Sequence, residues 1–295
     1  MVWFMPVFTV YDPTGSYVAA AVMAKTSMIA SAPEKGREFR LKRARAEKTR
    51  PGNPNRLTVN QHVFPVKSIE RFANKNDRVE ARLLDDRNKI IRPKPENAIF
   101  CASRAWDQRA ETGYMKRIED NFQQTVSPII DGKTTTVSAE ARSAIDRMYA
   151  LWYWRARFRE LESQETQLNG VTGADLSLEQ EENLESNGYM FARKHGAMPT
   201  RQLNGAVVEM RTDFYVDELA KSVTQWGIIA AQSGEFIVPD VPCHGIIPLA
   251  PQLALVKDTL DGVISEQNLA RVNTAMCSLS ESYYFARDLA CCPFS

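Results

Sequence analysis

Apolar residues in the middle of the chain repeat with the period of an α-helix. Met115, Ile118, Phe122, Val126 and Ile129 are spaced by three or four residues and form a single stripe. Two further helices are predicted in the same way, one after an N-cap at Ser138 and a long one after Pro199. Their stripes are Ile145, Tyr149, Trp152 and Ala156 in the first, and Leu203, Val207, Met210 and Phe214 in the second.

Extended segments flank these helices on both sides. Residues 79–84 and 89–92 are typical of a hairpin, and the period changes to two after Trp226. There, residues 227–232 and 235–238 predict a second hairpin, joined through Ser233 and Gly234. Later segments predict a strand at 252–257, a helix capped by Ser265 and a last strand at 283–286. The order favours an α+β fold with central helices and N-terminal and C-terminal hairpins, which form a small, mostly antiparallel sheet.

The N-terminal part differs in composition from the rest. Between Glu34 and Arg56, nine basic residues face three acidic ones, and no apolar period runs through the segment. Blocks of like charge are commonly disordered. We therefore predict a flexible basic extension at 1–56, followed by a single α+β domain at 57–295. The extension is either a solubilising tail, which the pattern favours, or an arm that binds the phosphates of a nucleic acid.

The remaining composition limits the class of protein. Lys and Arg total 37 against 36 Asp and Glu, a net charge of +1, so the surface is not uniformly basic. The five cysteines show no Cys-x-x-Cys spacing and fit reduced thiols better than disulfides. No apolar run is long enough to cross a bilayer, and the hydrophobic start lacks the leading positive charge of a signal peptide. We expect a cytoplasmic protein without a membrane partner, whose native start is either Met1 or a later methionine such as Met23 or Met28.

No familiar catalytic signature is present in the sequence. Glycine-rich dinucleotide and phosphate loops, His-Glu-x-x-His and Gly-x-Ser-x-Gly are all absent. Around Trp152, arginines alternate with aromatic residues, a combination that can grip single-stranded nucleic acid. A core helix with an arginine-rich outer face is the favoured interpretation, because helix geometry turns about half of the rings inward.

Three polar residues are candidates for a functional site. His62 lies in a segment that we expect to be ordered, where an imidazole can act as a base, bind a metal or simply bond to backbone. Glu119 lies at the margin of a predicted apolar stripe, and Asp240 follows a predicted strand and precedes Pro242. Each of the two acids also has an ordinary explanation, a solvated carboxylate for Glu119 and a turn for Asp240.

The segment Gln61-His62-Val63-Phe64-Pro65, followed by Ile69 and Phe72, resembles the opening of a large bacterial family known only as a domain of unknown function. In that family a (Gln/His)-His-x-x-Pro segment is followed by a hairpin, an acidic helix and a late Asp-x-Pro. The resemblance covers roughly residues 57–285, with a long N-terminal extension as its main departure. Matching positions here are His62 and Pro65, Glu119, Asp240 with Pro242, the run 247–251, and Asn273.

The resemblance implies that His62, Glu119 and Asp240 form one polar cluster. One imidazole and two carboxylates can bind a divalent metal ion or act as an acid–base set. Together with the basic extension, this leads to the hypothesis of a metal-dependent hydrolase or nuclease with a defence or toxin role. The alternative is a non-catalytic module that binds nucleic acid or protein. Convergence of the three side chains would distinguish the two.

Overall fold

The structure is a computed structural model that describes residues 8–11, 17–20, 46–85, 88–160 and 165–295. Six α-helices form where the caps and apolar stripes predict them or in short connecting segments. They are α1 (Val66–Glu70), α2 (Lys116–Ile130), α3 (Ala139–Phe158), α4 (Leu178–Ser186), α5 (Thr200–Ser222) and α6 (Glu266–Leu279). A π-helical turn, Ala110–Met115, leads into α2.

The strands form two larger sheets and two short ladders. They are β1 (Phe8–Tyr11), β2 (Tyr17–Ala20), β3 (Asn60–His62), β4 (Glu80–Leu83), β5 (Ile90–Ile91), β6 (Cys101–Ser103), β7 (Glu165–Gln167), β8 (Ala197–Pro199), β9 (Trp226–Ala231), β10 (Val238–Pro239), β11 (Ile246–Ala250), β12 (Leu253–Lys257), β13 (Gly262–Ile264) and β14 (Tyr283–Ala286). One sheet has the order β11-β12-β9-β13-β1-β2 and the other β10-β14-β4-β5, while β3–β6 and β7–β8 are separate ladders. Among the described pairs, only β9–β13 is parallel. The predicted α+β class is confirmed.

The two sheets separate two apolar clusters. Because successive side chains of a strand point to opposite faces, β14 contributes Tyr283 and Phe285 to one cluster and Tyr284 to the other. The larger cluster lies under α2, α3 and α5 and includes Phe72, Trp106, Phe122 and Trp152. The smaller one lies under α6. None of the described helices combines the length and the apolarity that crossing a bilayer requires.

Most local signals are confirmed, including the buried stripes of α2 and α3. The predicted caps Ser138 and Ser265 each accept a hydrogen bond from the backbone of the first turn of their helix, and Ser177 does the same for α4. The predicted hairpin at 227–238 is wrong, because β9 pairs with β12 and β13 while β10 pairs with β14. Long-range pairing has overridden the local turn signal.

The predicted inward stripe of α5 is also wrong. Met210 and Phe214 are 51% and 64% exposed. The buried face of the helix instead carries Gly205, Val208 and Thr212. Small residues let α5 approach its neighbours closely, and a Cβ at position 205 would overlap the carboxylate of Asp107. Close packing, not side-chain size, therefore fixes the orientation of this helix.

The predicted basic extension lies largely outside the described residues, and Lys35 to Arg45 fall entirely outside them. The part at 46–56 differs from the expected flexible arm. Glu47 forms ion pairs with Arg193 and Arg201, and Arg50 donates through its backbone N–H and its Nε to Glu182, at 2.6 and 3.0 Å. Partners on α4, on α5 and in the segment between them thus hold the chain before Leu57, and those partners are more than 120 residues away in sequence.

Candidate functional site

The β3–β6 ladder forms one wall of a cavity of about 630 Å³. In its register, Asn60 lies opposite Ser103 and His62 opposite Cys101. Paired residues share a face of a ladder, and Asn60, Cys101 and Ser103 all line the cavity. Gln61 lies between Asn60 and His62 in the strand and points to the opposite face. Its side-chain amide donates to the carbonyl oxygen of Trp106 and accepts from the Trp106 backbone N–H.

The rest of the cavity wall comes from the turn before β6 and from three distant segments. The distant segments are the end of β4, the C-terminal end of α3 and the residues at the start of β14. The lining side chains are apolar in Val63, Leu83, Leu84, Ala98 and Ile99, and polar or charged in Asp85, Asn97, Arg159, Glu160, Glu281, Ser282 and Tyr283. The cavity therefore combines an apolar surface with a few polar groups, which is typical of small-molecule sites.

Among the described residues that line this cavity, Arg159 is the one basic residue. It follows the last turn of α3 and donates to Asp240 Oδ2 at 2.8 Å and to Ser282 Oγ at 2.9 Å. Burial alone lowers the pKa of the guanidinium, but Asp240 beside it makes the net direction upward. The side chain is 14% exposed, so Arg159 is a positive charge held in a fixed position at the cavity.

Tyr283 contributes a buried phenol to the same wall. Its ring packs edge-on against Phe100 at 5.4 Å between centroids. Burial and the nearby charge of Asp240 raise its pKa, so the hydroxyl is a neutral donor. The residue is 6% exposed, and its hydroxyl makes no hydrogen bond to another described residue.

Asp240 lies behind this wall and positions it. Its carboxylate accepts from the backbone N–H groups of Glu281 and Ser282, both at 2.8 Å, as well as from Arg159. The side chain is fully buried, and it is not among the residues that line the cavity. Asp240 thus fixes the segment before β14 and the end of α3 from behind the cavity wall.

His62 lies on the same face of the ladder as Cys101, but it does not line the cavity. Its Nε2 is 3.1 Å from the carbonyl oxygen of Pro95. Because a carbonyl only accepts, Nε2 carries the proton in this contact. His62 is therefore hydrogen-bonded to the backbone, which is one of the alternatives that the sequence left open.

Glu119 belongs to a different environment on α2. It forms an ion pair with Arg155 of α3, whose side chain is buried. Arg155 Nη2 also lies 3.4 Å from Glu111 Oε2. Arg155 stacks over the Trp106 ring at 5.4 Å. The outward arginine face predicted for α3 is thus wrong at Arg155, which needs Glu111 and Glu119 to compensate its buried charge.

His62, Glu119 and Asp240 consequently have three separate sets of partners. Within the described ranges, no group of three or more His, Cys, Asp or Glu side chains is arranged to hold a metal ion. Each of the three residues predicted to form one polar cluster has a local structural partner here, so their shared site stays a prediction. Arg159 and Tyr283, which the sequence did not single out, occupy the cavity instead.

Cys101 is the cysteine among the described residues that line the cavity. Burial raises its pKa to about 12, with a smaller contribution from Glu111. Its thiol donates to the carbonyl oxygen of Asn97 at 3.7 Å. Since the thiolate is the reactive form, Cys101 is a neutral wall residue at physiological pH.

Comparisons with known proteins add no assignment to this site. No family model, no curated protein and no solved structure matches the chain. The resemblance of His62, Glu119 and Asp240 to a family of unknown function stays a prediction.

Proposed function

We propose that this protein binds a small polar molecule in the cavity, with Arg159 and Tyr283 as the groups that recognise it. The observation that carries the proposal is a guanidinium, Arg159, which Asp240 and Ser282 hold in the wall of a cavity that Tyr283 also lines. The volume falls within the range of roughly 300–1,000 Å³ that is usual for small-molecule sites.

Hydrogen-bond accounting supports binding at this position. A guanidinium has five N–H groups, and among the described residues those of Arg159 reach Asp240, Ser282 and, at 3.4 Å, Glu281. Arg159 and the Tyr283 hydroxyl can therefore both donate to a ligand in the cavity. Two donors on one wall select a ligand with a hydrogen-bond acceptor, such as a carbonyl oxygen.

A binding role is favoured over the hydrolase or nuclease considered from the sequence. The acid–base trio has no shared site among the described residues, and the carboxylates at the cavity disfavour a phosphodiester. We further propose that the chain works in the cytoplasm, which its five free cysteines support. A nucleic-acid partner for the basic extension remains a separate proposal.

The test uses propionamide and propionate as small acceptor probes, with binding followed by backbone amide shifts in NMR. We expect saturable shifts around β3, β6 and β14 at millimolar concentrations. Tyr283→Phe removes one donated hydrogen bond and should weaken binding by about 2–10-fold. Tyr284→Phe is the matched control, because Tyr284 packs in the other cluster.

The folded state of Tyr283→Phe is checked by its melting temperature, which should equal that of the wild type because the hydroxyl has no hydrogen bond within the described part of the chain. Absence of saturable shifts for both probes would overturn the proposal. Equal binding by the wild type and Tyr283→Phe would overturn it as well.

A further inference from the structure

From the arginines and aromatic rings that α3 and α5 bring together, we propose that a second surface of this protein binds single-stranded nucleic acid. This surface, the α3–α5 face, consists of Tyr153, Trp154 and Arg157 of α3 and Arg211, Phe214 and Tyr215 of α5. None of these six residues lines the cavity. The proposal is therefore independent of the small-molecule site and stands or falls separately from it.

Aromatic rings from the two helices form one group on this face. The Tyr215 ring lies 5.0 Å from the Tyr153 ring and 6.5 Å from the Trp154 ring, and the last two are 5.1 Å apart. Tyr153 and Tyr215 are only partly buried, so the group reaches the surface. Aromatic side chains at a surface can stack with the bases of a single strand whatever its sequence, because every base has a π-face.

Two arginines lie over these rings. The guanidinium of Arg157 is 4.6 Å from the centre of the Tyr153 ring, and that of Arg211 is 4.8 Å from Trp154. Neither makes an ion pair or a hydrogen bond with another described residue. The other arginines of α3 all have carboxylate partners: Arg142, Arg147 and Arg155. Arg157 and Arg211 are thus held by rings and keep their N–H groups for phosphate oxygens.

The carboxylates on the exposed part of α5 leave this positive charge largely uncompensated. Asp213 is paired with Arg147 at 3.0 Å, and Glu218 with Lys221 at 3.1 Å. Asp217 follows Arg211 by six residues and therefore lies about 120° around the helix from it. The α3–α5 face consequently attracts an anion, and its rings favour an anion that carries flat apolar groups.

Phe214 makes a single strand the best match for this face. Its side chain is 64% exposed, and it follows Arg211 by three residues, so the two are neighbours on the helix surface. A ring and a guanidinium side by side can contact a base and its phosphate at the same time. A duplex keeps its base faces stacked inside, and an acidic peptide needs the arginines alone.

The first test compares two labelled strands of equal length and charge by fluorescence anisotropy at low salt. One is an oligothymidylate of about 12 nucleotides, within the usual range of such sites, and the other is its abasic counterpart. The wild type should bind the oligothymidylate about fivefold tighter or more, because stacking requires bases. Phe214→Ser should lose most of this preference and bind the abasic strand as before. Tyr189→Ser is the matched control, since it removes an equally exposed ring, after α4, and should change neither.

The second test measures the charge contribution in the full chain. Arg157→Gln with Arg211→Gln should reduce the salt slope of oligothymidylate binding by about 1.4, because each phosphate contact of a single strand contributes roughly 0.7. The control pair is Arg117→Gln with Arg271→Gln, at exposed positions of α2 and α6, and loses the same charge. Melting temperatures check that all variants are folded.

Several results would overturn the proposal. They are equal binding of the two strands by the wild type, a preference that Phe214→Ser leaves intact, and equal salt slopes in the two double variants. Sedimentation adds a further one: a dimer that Phe214→Ser dissociates, with unchanged oligothymidylate binding, would assign this face to a second copy of the chain.

Discussion

The carboxylate of Asp240 joins the end of β10 to the end of α3 through a 2.8 Å ion pair with Arg159. The same carboxylate accepts from two backbone N–H groups of the segment before β14. One buried side chain thereby connects three elements that are far apart in sequence. The position of Arg159 at the cavity depends on this connection.

Asp240→Asn should lower the free energy of unfolding by about 3 kcal/mol. The amide removes the charge that balances Arg159 and turns an N–H group towards other donors. Urea denaturation measures the change. Asp217→Asn, at an exposed position of α5, should cost less than about 0.5 kcal/mol. An equally small loss in Asp240→Asn would mean that the ion pair does not stabilise the fold.

A second prediction concerns His62, whose observed contact is the Pro95 carbonyl. His62→Ala leaves that carbonyl without its donor and should lower the free energy of unfolding by about 1–3 kcal/mol. Propionamide binding should persist, because His62 does not line the cavity.

The control for His62→Ala is His195→Asn, at an exposed residue with left-handed backbone that asparagine tolerates. It should leave stability nearly unchanged. Loss of probe binding in a fully stable His62→Ala protein would contradict the structural role and return His62 to the functional site.

Local signals were the part of this fold that the sequence could predict. The cap of Ser138 and the stripe from Met115 to Ile129 depend on neighbouring residues, and both are observed. The outward orientation of Phe214 depends on the small Gly205 and its contact with Asp107, which no local pattern contains.

The candidate site was only partly predictable for the same reason. Asp240 stood out at a strand end, and it does organise the cavity. Arg159 and Tyr283 looked like an ordinary helix-end arginine and a strand residue. They become neighbours only through the pairing of β14 with β4 and β10 and through the ion pair with Asp240.

Gly205 provides a third prediction, because a Cβ there would overlap Asp107 Oδ1. Gly205→Ala should lower the free energy of unfolding by about 1–3 kcal/mol despite the better helix propensity of alanine. In an Asp107→Ala background the overlap is gone, and the same substitution should be neutral or stabilising. Denaturation of the four proteins of this cycle measures the coupling. Additive effects would contradict the proposed contact.

Asp107 also predicts a pH dependence. Burial raises its pKa from 3.8 to about 6, although Arg109 opposes the shift. The folded state therefore favours the neutral acid. The preference of the folded state for protonated Asp107 stabilises the fold. This stabilisation is fully present below about pH 4 and is lost as the pH rises through about 6.

The contribution of Asp107 amounts to at most about 3 kcal/mol. Unfolding free energies between pH 4 and 7.5 should fall less steeply in Asp107→Asn than in the wild type. Identical pH profiles for the two proteins would show that Asp107 titrates normally.

The last prediction concerns the basic extension as a nucleic-acid arm. Each phosphate that a Lys or Arg neutralises releases counterions, so the logarithm of the binding constant should fall linearly with that of the salt concentration. Changing four basic residues of the arm to Gln should reduce that slope by about 3 for duplex DNA, if most of them contact phosphates. The four are Arg40, Lys42, Arg43 and Arg45.

The control variant changes four exposed lysines elsewhere, so that its net charge falls equally: Lys75, Lys89, Lys94 and Lys133. Fluorescence anisotropy between 25 and 200 mM salt, roughly the range in which such contacts weaken most, measures both slopes. A smaller slope in the arm variant alone identifies the arm as the contact, since overall charge is matched. Equal slopes in the two variants, or no binding to single- or double-stranded DNA or RNA at low salt, would remove nucleic acid as a partner of this segment and leave the solubilising tail as its explanation.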